Sequence, residues 1–177
     1  MKREIAVHFL FFLAFFVLIS LFRNWLNISF WPLWAGGLIG TILPDVDHLI
    51  YIYFLRPHEL TSQRVNYMLA RREVLGVLHL LAQTRSERKR LILHTALFQV
   101  IFTLLAFLVV SSSGSLFGKG LVLAFLLHLA VDQLIDLAKI DNIDNWFGQI
   151  GIILNKGKAV LYWVFNLVLI LLFGFLL

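Results

Sequence analysis

Five stretches of this chain, at about 4–22, 30–55, 91–111, 119–137 and 159–177, are apolar over roughly 18 residues or more, the length an α-helix needs to cross the hydrocarbon core of a bilayer. No other feature restricts the fold as strongly. The sequence therefore predicts an all-α, polytopic transmembrane helix bundle of about five spans, forming a single integral membrane domain over 1–177. Composition agrees, because 60% of the residues are hydrophobic and only 14% are charged. The first run follows "MKRE" but lacks an A-x-A-like cleavage site, so it is read as a retained helix rather than a signal peptide. The chain has no cysteine, so any metal it holds must be bound through nitrogen and oxygen.

Lys and Arg near span ends favour the cytoplasmic side, and their distribution sets an orientation. Lys2 and Arg3 precede the first run. The segment 56–90 carries Arg56, Arg64, Arg71, Arg72, Arg85, Arg88, Lys89 and Arg90, and Lys139, Lys156 and Lys158 lie between the last two runs. With five spans and the N-terminus inside, the outer loops hold only Arg23 and Lys119. The expected location is a prokaryotic cytoplasmic (inner) membrane. The net charge of +5 then reflects this asymmetry and attraction to anionic membrane lipids, and no nucleic-acid partner is expected. Between the second and third spans, "RVNYMLARREVLGVLHLLAQ" predicts a helical segment at the cytoplasmic interface. "SSSGS" at 111–115 reads as a turn, and "KIDNIDNWFGQ" as a polar inner loop.

Within the spans fall His8, Asp45, Asp47, His48, His94, His128, Asp132 and Asp136. An ionised side chain in hydrocarbon costs about 2.5–3.5 kcal/mol even on insertion scales, so such residues call for a function. The orientation was set from Lys and Arg alone, yet it brings all of these groups to the cytoplasmic half of the bundle. His128 and Asp132 are four apart, about 40° around a helix and 6 Å along it, and face the same way. Asp45 and His48 are three apart and adjoin Pro44, where the helix is expected to break. Gly36 and Gly40 would let a neighbouring helix come close. Irregular backbone at this depth is tolerated where it lines a cavity or is buried in protein. Asp45, His48, His94 and His128 are expected to converge, with His8 at the edge. Asp136, His58, His79, Asp141 and Asp144 read as solvated or surface groups.

The chain also resembles the membrane-bound metal-dependent hydrolases (YdjM-like). The resemblance rests on an early His in the first helix (His8), the Gly-x-x-Leu-Pro-Asp-x-Asp-His core as "GTILPDVDH", an Arg-x-x-x-His element as "RLILHT" (Arg90 and His94, with Thr95 where the family has Ser), and His-x-x-x-Asp as "HLAVD". Lys89 and Ile135 stand where the family often has His and Thr. The resemblance implies a helical membrane hydrolase and strengthens the reading of His8 as a ligand.

The metal candidates are His8, Asp45, His48, His94, His128 and Asp132. Asp47 and Arg90 are the candidate catalytic residues. Asp47 could equally be a ligand, an acceptor that orients an imidazole, or a helix cap, and Arg90 either holds phosphate or belongs to the positive-inside set. Mixed imidazole and carboxylate ligands suit zinc, with manganese or iron as alternatives, and there are enough of them for one or two ions. Such a centre activates water for attack on a phosphorus or carbonyl centre. Its depth selects substrates that are themselves in the membrane, a lipid phosphoester first among them. Two other readings use the same residues: a cation or proton transporter, with a path that a homo-oligomer could complete between subunits, and a non-catalytic remnant of the hydrolase family.

Overall fold

The computed structural model describes residues 2–84 and 91–177. Among the described residues the chain is helical, with no strand, and four helical segments are long and apolar enough to cross a membrane: Glu4–Phe22, Ile28–Leu55, Leu116–Ile140 and Lys156–Leu176. A shorter apolar helix, Ala96–Ser112, has 17 residues. The all-α membrane bundle expected from the apolar runs is present. In chain order the helices are α1 (Lys2–Phe22), α2 (Trp31–Ile42), α3 (Val46–Ile50), α4 (Leu60–Ala70), α5 (Val74–Gln83), α6 (Ala96–Ser112), α7 (Leu116–Ile140), α8 (Asp144–Phe147) and α9 (Lys156–Leu176).

The bundle is organised around α7, which is buried on every side from Val122 to Gln133. A helix apolar all round belongs in an interior, and this one carries its polar exceptions, His128, Asp132 and Gln133, inward as well. The other spans bury one face each. Phe12, Phe15, Phe16 and Ile19 of α1 pack with Leu33 of α2, Leu123 and Leu126 of α7, and Ile170 and Phe173 of α9. The close neighbour of Gly36 and Gly40 is α7. A Cβ on Gly36 would meet the Phe117 carbonyl, one on Gly40 the Leu121 carbonyl, and one on Gly120 the Leu33 carbonyl. These three glycines let the two backbones touch.

The second span changes helical pitch three times. After α2 comes a 3-10 turn over Leu43–Asp45 containing Pro44, then α3, then a π-helical turn over Tyr51–Leu55. Pro44 has no N–H to donate, which accounts for the first change. The following π turn is of a kind that often marks functional positions.

The run at 91–111 was expected to be helical throughout, but α6 begins only at Ala96. The Thr95 hydroxyl caps it by accepting the Phe98 N–H at 3.2 Å, and the amides of Ile92, Leu93 and His94 bind a carboxylate instead of continuing the helix. Residues 60–83 form two helices, α4 and α5, closed over Tyr51 and Ile52 by Val65 and Val77. The stretch expected as a polar inner loop contains α8, which buries Trp146 and Phe147.

Candidate metal centre

Four side chains from three parts of the chain meet at one end of the bundle: partly buried His8 of α1, and buried His94 just before α6 and His128 and Asp132 of α7. The Asp132 carboxylate lies at their centre, 3.2 Å from His8 Nε2, 3.0 Å from His94 Nε2 and 3.5 Å from His128 Nε2. The His8 and His128 rings are 4.2 Å apart between centroids, and those of His94 and His128 are 6.1 Å apart. One ligand atom from each of His8, His128 and Asp132 lies within 4.8 Å of the other two, close enough to share a cation.

The second nitrogen of each ring fixes how the first is presented. His8 Nδ1 contacts the Glu4 carbonyl oxygen at 2.9 Å, and His128 Nδ1 contacts the Thr41 carbonyl oxygen at 2.6 Å. A carbonyl oxygen can only accept, so both Nδ1 atoms donate. His94 Nδ1 lies 3.1 Å from Asp47 Oδ2, whose carboxylate already accepts the backbone N–H groups of Ile92 (3.1 Å), Leu93 (2.7 Å) and His94 (3.2 Å). A carboxylate ringed by donors is ionised and accepts here too. In all three neutral imidazoles Nε2 is therefore the unprotonated nitrogen.

All three Nε2 atoms are buried, and none makes a hydrogen bond. Each lies 3.0–3.5 Å from an Asp132 oxygen, and with the proton on Nδ1 there is no N–H at Nε2 to donate to it. Protonating all three rings would not repair this, because three cations in ring contact would repel one another around a single central carboxylate. Lone pairs and a carboxylate thus face one another in the interior, and His8, His128 and Asp132 are near enough to one another to hold a cation.

Local structure explains each placement. His8 follows Glu4 by one helical turn, so the Glu4 carbonyl lies beneath its ring. Asp132 follows His128 by one turn on the same face of α7. The Asp47 carboxylate joins the second span to the start of α6 and holds His94 by both main chain and ring. Trp146 of α8 stands edge-on to His94 at 5.7 Å, and its indole N–H donates to Asp136 at 3.0 Å. That side of the centre is thereby closed.

Asp45 and His48 lie at the periphery. Asp45 Oδ1 is 3.8 Å from His128 Nε2, but its side chain is 58% exposed, whereas those of His94, His128, Asp132 and Asp47 are at most 5% exposed. His48 is half-buried and stacks on His94 at 5.3 Å. His8, expected at the edge, thus sits inside, and Asp45 and His48 sit outside. Asp47 has its oxygens committed to Ile92, Leu93 and His94, which gives it a positioning task. Arg90, the other catalytic candidate, lies outside the described residues, as do Arg88 and Lys89. His58 and His79 are exposed.

Several contributors were not read from the sequence. The Glu4 and Thr41 carbonyls are backbone groups and leave no signature in residue type. Gln99 and Gln133 could have been found, since each is an amide inside an apolar run. Gln133 Nε2 donates to Gln99 Oε1 at 2.6 Å, and the Tyr162 hydroxyl donates to the same oxygen at 2.8 Å, tying α7 and α9 to α6. Comparison with protein-family models, curated proteins and solved structures found no match for the chain.

Proposed function

We propose that this protein is a membrane-embedded, metal-dependent hydrolase of the YdjM-like kind, acting on a phosphoester of a membrane lipid, with its centre toward the cytoplasmic face of a prokaryotic membrane. The reading rests on three buried Nε2 atoms, each tautomerically fixed as a lone pair and none hydrogen-bonded, around the Asp132 carboxylate.

His8, His94, His128 and Asp132 would hold the cation, and the donor set suits zinc, or manganese or iron. A bound divalent cation would supply Lewis acidity and an activated water. The chain's own residues do the rest. The Glu4 and Thr41 carbonyls and the Asp47 carboxylate lock the three rings, which raises ligand basicity and fixes geometry. Trp146 shields the His94 side, while exposed Asp45 would be available to the reacting water or leaving group. Arg90, four residues before His94, carries the charge suited to a phosphate.

Transport is the weaker alternative. The half of the bundle away from the centre is packed, among the described residues, with Phe16, Leu33, Ala106, Val110, Leu123 and Ile170, all buried and apolar, which disfavours a polar route there.

Metal analysis of detergent-purified protein should find about one or two equivalents of transition metal in the wild type and little in His128→Ala, since unpaired ligands are costly in the bundle. Asp132→Asn keeps the shape but weakens the cation's hold, so turnover of a short-chain phosphoester should collapse while the protein stays folded. A folded wild type that cannot be loaded with metal, or one that carries ions across vesicles and hydrolyses no phosphoester, would refute the proposal.

A further inference from the structure

The second span presents a stripe of exposed side chains along one side. Ile39 and Ile42 before the 3-10 turn, and Val46 and Leu49 after it, are 39–51% exposed. In a helix long and apolar enough to cross a membrane, an exposed apolar face is turned to lipid. Asp45 interrupts this stripe with a carboxylate that is itself exposed. A charge on a lipid-facing surface is strongly disfavoured, yet Asp45 stands there, with His128 Nε2 3.8 Å away inside the centre. Where Asp45 stands, the surface of the span and the interior of the metal centre are one side chain apart.

Among the described residues the side chains of the centre itself are far more enclosed, at most 10% exposed. His94 is covered by Trp146, His8 lies against His128, and Asp132 is buried on α7. From this geometry we infer that the centre opens sideways, through the second span at Asp45, so that a phosphate-headed lipid reaches it from within the bilayer. Its acyl chains lie along Ile42, Val46 and Leu49 while its headgroup meets the centre beside Asp45. The inference rests on the metal-centre reading and adds to it the route and the attachment of the substrate.

The chain has no native cysteine, so single-cysteine variants can be labelled cleanly. Val46→Cys, and Leu104→Cys on the exposed face of α6 as a control, are loaded with Mn2+ and placed in vesicles of phosphatidylcholine containing phosphatidic acid. Excess phosphorus relaxation of the phosphatidic acid is then measured with and without a bulky maleimide. The label at Val46→Cys should reduce the excess relaxation by about tenfold or more, and the label at Leu104→Cys by less than about twofold, with metal content unchanged in both. Metal-loaded protein in which the Val46→Cys label has no effect would overturn lateral access alone, as would relaxation of external inorganic phosphate that the label does not alter. A disulfide-linked Val46→Cys dimer in vesicles would assign the stripe to a second copy and also overturn it. Failure of the protein to take up Mn2+ or any other transition metal would remove the metal-centre reading itself, and the lateral route with it.

Discussion

Asp47→Asn separates orientation of a ligand from ligation. The Asp47 carboxylate takes the N–H groups of Leu93 and His94 and the ring of His94 on Oδ2, and the N–H of Ile92 on Oδ1. Asparagine keeps only one oxygen. If that oxygen stays with Leu93 and His94, the new NH2 group faces the Ile92 N–H, leaving a buried donor unsatisfied at a cost of about 1–3 kcal/mol. The bonds that survive also lose their charge and about half their strength, so the total is on the order of 2–4 kcal/mol. Most of it falls on the segment 91–95. Amide exchange of Ile92 in detergent should accelerate by about 30- to 700-fold, at about 1.4 kcal/mol per factor of ten. Metal affinity, measured by competition with a chelator, should fall about 10- to 100-fold because His94 loses its orienting partner. Loss of metal with unchanged exchange at Ile92 would mean that Asp47 touches the cation itself, and no change in either would refute the positioning role.

The crossing of α2 and α7 gives a second test. Gly40→Ala drives a methyl into the Leu121 carbonyl, which cannot rotate away, so thermal melting should show a loss of about 1–3 kcal/mol, and metal affinity should fall with it as Thr41 shifts off His128. Equal metal affinity in a folded Gly40→Ala protein would count against the Thr41 contact. In the amide network, Gln133→Leu alone should cost about 1–3 kcal/mol by stripping a buried partner from Gln99. The double change Gln99→Leu with Gln133→Leu should cost less than the two single changes added together, and additive melting data would refute the coupling.

The spans were legible because length in an apolar run is a direct physical requirement of a bilayer, and the polar cluster was legible because ionisable groups in such runs are expensive. His8, His94, His128 and Asp132 could all be picked out on that ground. Their arrangement could not. Sequence spacing orders residues along one helix, but whether His8 or Asp45 stands nearer the middle depends on how α1 and the second span roll against α7, and the glycines that set one of those crossings report closeness without direction. The start of α6 was misjudged for a similar reason. Ile92 and Leu93 are good residues for an apolar helix, and the remote Asp47 carboxylate, 45 positions away from Ile92, takes their amides out of it.

The same logic explains how "PDVDH" fits inside a membrane span. Two residues are about 200° apart along an α-helix and about 240° along a 3-10 turn, so Asp45 and Asp47 face well-separated directions in either. One reaches the exposed stripe and the edge of the centre, while the other reaches the interior and fixes His94. His48, three residues from Asp45, returns to within about 60° of it and stacks on the outer side of His94. Pro44 contributes through the pitch. In an uninterrupted α-helix the Thr41 carbonyl would accept the amide four residues on, at Asp45, whereas a 3-10 turn bonds residues three apart and frees a carbonyl where the two patterns meet. The Thr41 carbonyl is the one that holds His128. A break that would weaken an ordinary span therefore frees the acceptor that sets the His128 tautomer, and eight consecutive residues, from Thr41 to His48, bring Thr41 to His128, Asp47 to His94 and Asp45 to the edge of the cluster.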